Sequence, residues 1–135
     1  MKEFEIRTKL YFEENALDHL LNKESHNVMI IADPFTVKSG ILHYVTDRLD
    51  SDKVRYTVFD QVVPDAPMDK VMVGIHAALD QMPDCLMAVG GGSVIDAAKA
   101  IRVVANRIVG DIDAQVKECF AIPTTSGTGS EVTEY

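Results

Sequence analysis

A chain of 135 residues carrying 13 basic and 21 acidic side chains, for a net charge of −8, has the length of one domain. It is too short for a (β/α)₈ barrel of about 250 residues, and its acidity argues against a nucleic-acid surface or an anionic membrane as the main partner. With 47% hydrophobic and 25% charged residues it reads as a globular domain rather than a disordered one.

In chain order, residues 4–12 (FEIRTKLYF) alternate apolar and polar positions, the period of a half-buried strand. Asn15 is placed to cap a helix in which Ala16, Leu17, Leu20 and Leu21 share one face. Residues 28–32 (VMIIA) form a continuous apolar run, as in a strand buried on both sides, and Asp33-Pro34 ends it. From Thr36 to about Leu49, the residues Val37, Ile41, Leu42, Val45 and Leu49 keep helical spacing and predict one helix. Residues 54–59 (VRYTVF) return to a strand period, and the run from Val63 to Pro67 reads as a turn with Pro67 in the first turn of the next helix.

Met68, Val71, Met72, Ile75, Leu79 and Met82 then trace a helical stripe that Pro83 stops. Residues 85–89 (CLMAV) give another buried strand leading into Gly90-Gly91-Gly92-Ser93. A helix is predicted from Val94 to about Arg107, with Ala97, Ala98, Ile101 and Val104 or Ala105 inward. Residues 119–122 (CFAI) form the last strand, which opens into a hydroxyl-rich loop over 124–130 (TTSGTGS).

This alternation of strands and helices predicts an α/β fold: a Rossmann-like, doubly wound, mostly parallel sheet with helices on both faces. Ligands of such sheets bind beyond the carboxyl ends of the strands. Asp33-Pro34, the glycine run and the hydroxyl-rich loop each follow a strand and are expected on that one rim. Three glycines permit close approach of an anion to main-chain N–H groups, and a helix N-terminus favours negative charge there. Ser93 with Asp96 matches a capping box that would fix the helix start. The glycine run is therefore read as a phosphate site, although it is neither G-x-G-x-x-G nor a Walker loop. The hydroxyl-rich loop fits both a ligand site and an ordinary loop, with Thr128 to Glu131 as a second capping pattern. Asp33 can accept hydrogen bonds from a ribose or simply cap the turn; its own residues leave both open.

Other chemistry is thin. His19, His26, His43 and His76 are scattered without metal-ligand spacing, and no catalytic triad can be assembled. Cys85 and Cys119 form no C-x-x-C pair and read as buried reduced thiols of a cytoplasmic protein. Acidic residues stand where a signal peptide would be apolar, and no uncharged run reaches the roughly 18 residues of a membrane span.

The sequence resembles the iron-containing (group III) alcohol dehydrogenases. The likeness is carried by residues 90–99 (GGGSVIDAAK) and 122–133 (IPTTSGTGSEVT), with Asp33-Pro34-Phe35, Lys38-Ser39-Gly40 and Val63-Pro64-Asp65 where the family has similar elements. It is strongest toward members handling short alcohols and aldehydes, including those of ethanolamine and propanediol utilisation. Departures are Val94 in place of a frequent proline, a shifted proline at Ala66-Pro67, and a short stretch between Arg107 and Glu118.

The resemblance implies that residues 1–135 are an N-terminal domain binding NAD(H). An all-helical domain holding Fe(2+) or another divalent metal on one aspartate and three histidines would lie outside this chain. It implies that Asp33 contacts the adenosine ribose and favours NAD over NADP, and that Asp65 lies near the adenosine site. Gly91, Gly92 and Ser93 would hold the pyrophosphate, and Thr124, Thr125 and Thr133 would line the cleft. The parent enzyme would pass hydride between a primary alcohol or aldehyde and NAD, with this chain binding cofactor but not catalysing. A homo-oligomer is compatible with an alternating N-terminal edge strand. Two alternatives are a stand-alone nucleotide-binding module and a piece of a zinc enzyme related to glycerol dehydrogenase or dehydroquinate synthase.

Overall fold

The computed structural model describes residues 9–11, 27–63, 67–124 and 132–134, the first and last of these as backbone. The strands are β1 (Lys9–Tyr11), β2 (Asn27–Ala32), β3 (Arg55–Phe59), β4 (Cys85–Gly90), β5 (Glu118–Pro123) and β6 (Val132–Glu134). The helices are α1 (Pro34–Ser39), α2 (Leu42–Ser51), α3 (Met68–Gln81) and α4 (Gly92–Val109), followed by a 3₁₀ turn at Ile112–Ala114. The predicted helix beginning near Asn15 lies outside the described residues, as does most of the first predicted strand.

One sheet has the order β1-β6-β5-β4-β2-β3. Its four strands β5, β4, β2 and β3 run parallel, whereas β6 pairs antiparallel with both β5 and β1. The expected α/β, Rossmann-like architecture is thus present, extended by an antiparallel edge that local periodicity did not reveal. Every residue of β2 and β4 is buried. This explains their continuous apolar runs, since a strand covered on both faces has no solvent side on which to alternate. Met29, Ile31, Leu86, Ala88, Cys119 and Ala121 face the α3–α4 side. Val28, Ile30, Cys85, Met87, Val89, Phe120 and Ile122 share the opposite core with Leu42, Val45 and Leu49 of α2.

Four local expectations are corrected. The single helix from Thr36 to Leu49 is two helices, because Gly40 takes the left-handed conformation (φ +83°) and closes α1 by donating to the Val37 carbonyl. The apolar spacing hid this break because it continues in phase across it. On α3 the buried face is Val71, Gly74, Ile75 and Ala78, while Met68 and Met72 point outward. Small residues, not methionines, face inward because α4 passes close by. A Cβ on Gly74 would lie 2.5 Å from Ile101 Cδ1 and 3.1 Å from Phe59 Cε1. Pro67 stands as the residue before α3 rather than within its first turn. The fourth correction concerns the start of α4 and belongs with the site below.

α4 also holds the chain that returns to β5. Asn106 Nδ2 donates to the Val116 carbonyl at 3.1 Å and its Oδ1 accepts from Val116 N–H at 2.7 Å. Arg102 donates to the Val116 and Lys117 carbonyls. Together these contacts fix where β5 begins and hence where it ends on the rim.

The close α3–α4 contact gives a direct test. Gly74→Val should overpack this seam and lower stability by about 1–3 kcal/mol, read as a drop in the urea midpoint; an unchanged midpoint would show that the helices separate freely.

Candidate functional site

β2 and β4 are neighbours in the sheet, yet their outgoing connections diverge. The chain leaving β2 runs through α1 and α2 to β3, and the chain leaving β4 runs through α4 to β5 on the opposite side. Diverging connections at adjacent parallel strands open a crevice beyond their carboxyl ends. A cavity of about 250 Å³ is found here, lined by Asp33, Val62, Val63, Gly91, Gly92, Ser93 and Val94.

Asp33 is both cap and wall. Its Oδ1 accepts from Thr36 N–H at 2.6 Å, capping α1 ahead of Pro34, while the residue lines the cavity. The two roles offered by the sequence are compatible, because a carboxylate has acceptor capacity beyond one cap bond.

Across the crevice, α4 begins at Gly92, with Gly91 as its extended N-cap. The expected capping box of Ser93 and Asp96 is therefore not formed: Ser93 already lies inside the first turn, and no side chain caps this helix. Val94 N–H and Ile95 N–H both reach the Gly91 carbonyl at 3.1 Å. The N–H groups at the helix start come before this ladder, as they do in any α-helix. The first turn carries no acidic side chain, so the positive end of the helix dipole is not locally neutralised.

Two glycines differ in what they require. Gly90 has φ +153°, and a Cβ there would stand 2.8 Å from Val94 Cγ2, so a side chain is excluded. Gly92 has open space where its Cβ would be. Its lack of a side chain keeps the approach to the helix N-terminus clear, as a bulky anion needs.

Thr124 N–H donates to the Gly90 carbonyl at 3.0 Å, which places the start of the hydroxyl-rich loop beside the glycine run. Thr133 stands in β6 in register with Ala121. Asp65 and Thr125 lie outside the described residues, as does the second capping pattern over 128–131. Val62, Val63 and Val94 also line the cavity but were not named as site residues from the sequence. As apolar residues in a loop and in a helix first turn they carry no signal that separates wall from core.

His43 and His76 are exposed on α2 and α3. Among the described residues no group of three or more His, Cys, Asp or Glu side chains is placed to hold a metal ion. No described helix is long and apolar enough to cross a membrane. Neither cysteine is in a disulfide, and both are buried. Burial pushes the Cys119 thiol up to about 11, with Arg102 and Lys99 acting in the opposite sense, so it is no nucleophile at neutral pH.

This raised value stabilises the fold where the thiol is protonated in both states. Once pH passes the ordinary thiol value near 9, the unfolded chain ionises first. Unfolding free energy should then fall by about 1.4 kcal/mol per pH unit until pH nears 11. Urea melts between pH 8 and 10.5 should show this slope, and Cys119→Ala should flatten it.

Comparison with known proteins places the chain. Residues 7–135 match the family described as iron-containing alcohol dehydrogenase. The chain is 39% identical over 133 residues to the 1-propanol dehydrogenase PduQ of Citrobacter freundii, covering 98% of this chain and 35% of that protein. It is 31% identical to the lactaldehyde reductase of Escherichia coli, covering 86% of this chain and 33% of the relative. It therefore spans about a third of the length of these relatives. Among solved structures, an iron-containing alcohol dehydrogenase of Thermococcus thioreducens superposes with a TM-score of 0.72 over 90% of this chain and 40% of that one. At 20% identity this likeness speaks for the fold alone. One from Thermotoga maritima, 30% identical, gives 0.63 over 84% of this chain and 33% of that one.

Proposed function

Because the chain belongs to the iron-containing alcohol dehydrogenases, we propose that it forms the NAD(H)-binding part of an NAD-dependent alcohol dehydrogenase acting between a short primary alcohol and its aldehyde. The observation that carries this reading is the single crevice that Asp33 shares with Gly91, Gly92 and Ser93. A dinucleotide needs a ribose acceptor and an anion cradle side by side, and these residues fit both ends of that requirement.

In this reading the Asp33 carboxylate accepts from the adenosine ribose hydroxyls and repels a 2′-phosphate. The N–H groups of Gly91, Gly92 and Ser93 receive the pyrophosphate at the start of α4. Open space at Gly92 lets the phosphates approach, and Val62 and Val63 offer an apolar wall across the crevice. Thr124, held beside Gly90, extends the cleft together with Thr125 and Thr133, and Asp65 borders the adenosine end. When bound, the nicotinamide cofactor supplies the hydride-accepting ring; the residues of this chain bind and orient it.

The family name also implies iron. The described residues offer no donor set for it, so no step is assigned to them through a metal, and Fe(2+) or another divalent ion is placed in a helical C-terminal domain of the parent enzyme. Residues 1–135 then correspond to the dinucleotide-binding domain, which binds cofactor without catalysing by itself. The edge position of β1 supports self-association, and two buried thiols outside any disulfide suit a reducing cytoplasm.

Calorimetric titration of the chain with NADH should give saturable binding; no heat at millimolar NADH with the domain folded would overturn the reading. Asp33→Gly should keep the α1 cap to within a few tenths of a kcal/mol. It should also narrow the NAD-over-NADP affinity ratio by about tenfold or more as the like-charge repulsion goes. Unchanged relative affinities for NAD and NADP would remove Asp33 from the ribose site.

A further inference from the structure

We propose that Val94 is a positioning residue for the phosphate cradle: its β-branched side chain, wedged against Gly90, sets the direction in which the first N–H groups of α4 face the crevice. The inference rests on the dinucleotide reading above.

Val94 occupies the third position of α4, 1% exposed, and still borders the cavity. It is packed in the core with Ala97 and Ala98 on one side and meets the Gly90 backbone on the other. The position of a Cβ on Gly90 would be 2.8 Å from Val94 Cγ2 and 3.1 Å from Val94 Cβ. The valine thus fills the space that a side chain at Gly90 would need. Gly90 in turn presents its carbonyl to Thr124 N–H at 3.0 Å.

Valine in a helix has one strongly preferred side-chain rotamer, so this wedge has one shape. The backbone it touches belongs to glycine, the freest residue in the chain. Without the branch, Gly90 and Gly91 regain freedom and the N–H groups after them swing with the turn. Hydrogen bonds to an anion weaken steeply as their angle closes, and three of them depend on this one hinge. Asp33 lies on the other side of the crevice, at the end of a different strand, and is not held by Val94.

That separation supplies the test. ADP carries both the ribose and the pyrophosphate, whereas adenosine carries only the ribose. Val94→Ala removes the branch, and Val94→Leu keeps an apolar side chain, one methylene larger, but moves the branch off Cβ. Both should weaken ADP about five- to tenfold and adenosine by less than about twofold, while Val94→Ile, which keeps the branch at Cβ, should keep ADP affinity within about twofold. Calorimetry and ligand-observed NMR read the dissociation constants, and thermal melts confirm that each variant is folded; Val94→Leu decides if the alanine variant melts.

Parent-like ADP affinity in the leucine variant, or a parallel loss of ADP and adenosine, overturns the wedge and leaves the dinucleotide reading standing. Failure of the parent chain to bind ADP or NADH overturns that reading itself, and the inference with it.

Discussion

Everything at the rim depends on the burial of β2 and β4 on both faces. A strand with no solvent side must be covered twice, and the connections on either side of this pair supply the cover: α2 on one face, α3 and α4 on the other. The helix layers cannot be placed this way unless the chain departs from β2 and β4 in opposite directions. The crevice follows from that divergence rather than from any residue designed to line it. Asp33 stands level with Gly90, one residue before Gly91, because their strands are paired, Ala32 with Val89.

The proposed site would let an acidic protein offer a place to an anion. The net charge of −8 is screened by water and salt beyond about 10 Å. The proposed cradle would instead use main-chain dipoles at the start of α4, with no carboxylate in the first turn. The nearest acidic wall, Asp33, has one oxygen committed to the α1 cap. Local geometry outweighs net charge here.

Much of this was legible in the sequence, and the rest was hidden for specific reasons. The buried strands announced themselves through VMIIA and CLMAV, because full burial leaves no alternation. The glycine run and Asp33 were legible as strand-end residues on one rim, and the structure brings them to one cavity; the residues around Asp33 left a plain cap and a ribose contact both open. The break at Gly40 was not, since the apolar spacing carries on across two helices. The start of α4 was misread because Ser93 and Asp96 form a plausible capping pattern, whereas the helix actually begins on two glycines that are poor helix formers. The face of α3 was misread because methionines look like core, while the residues that admit α4 are Gly74 and Ala78. The β5–β6 and β1–β6 pairings are long-range and leave no local trace.

Two ties along the chain from β4 to β5 have a consequence for binding entropy. The segment that leaves Gly90 and returns at Thr124 is closed where it meets itself by the Thr124–Gly90 hydrogen bond and braced midway by Asn106 against Val116. The glycine turn and the first residue of the hydroxyl loop are thereby held at a fixed separation by the fold itself. Ordering such a turn on contact with a ligand would subtract from affinity for each residue immobilised. At Gly90 and Thr124 that ordering is complete when the sheet closes, so in the proposed reading these two points of the cleft are in place before a dinucleotide arrives.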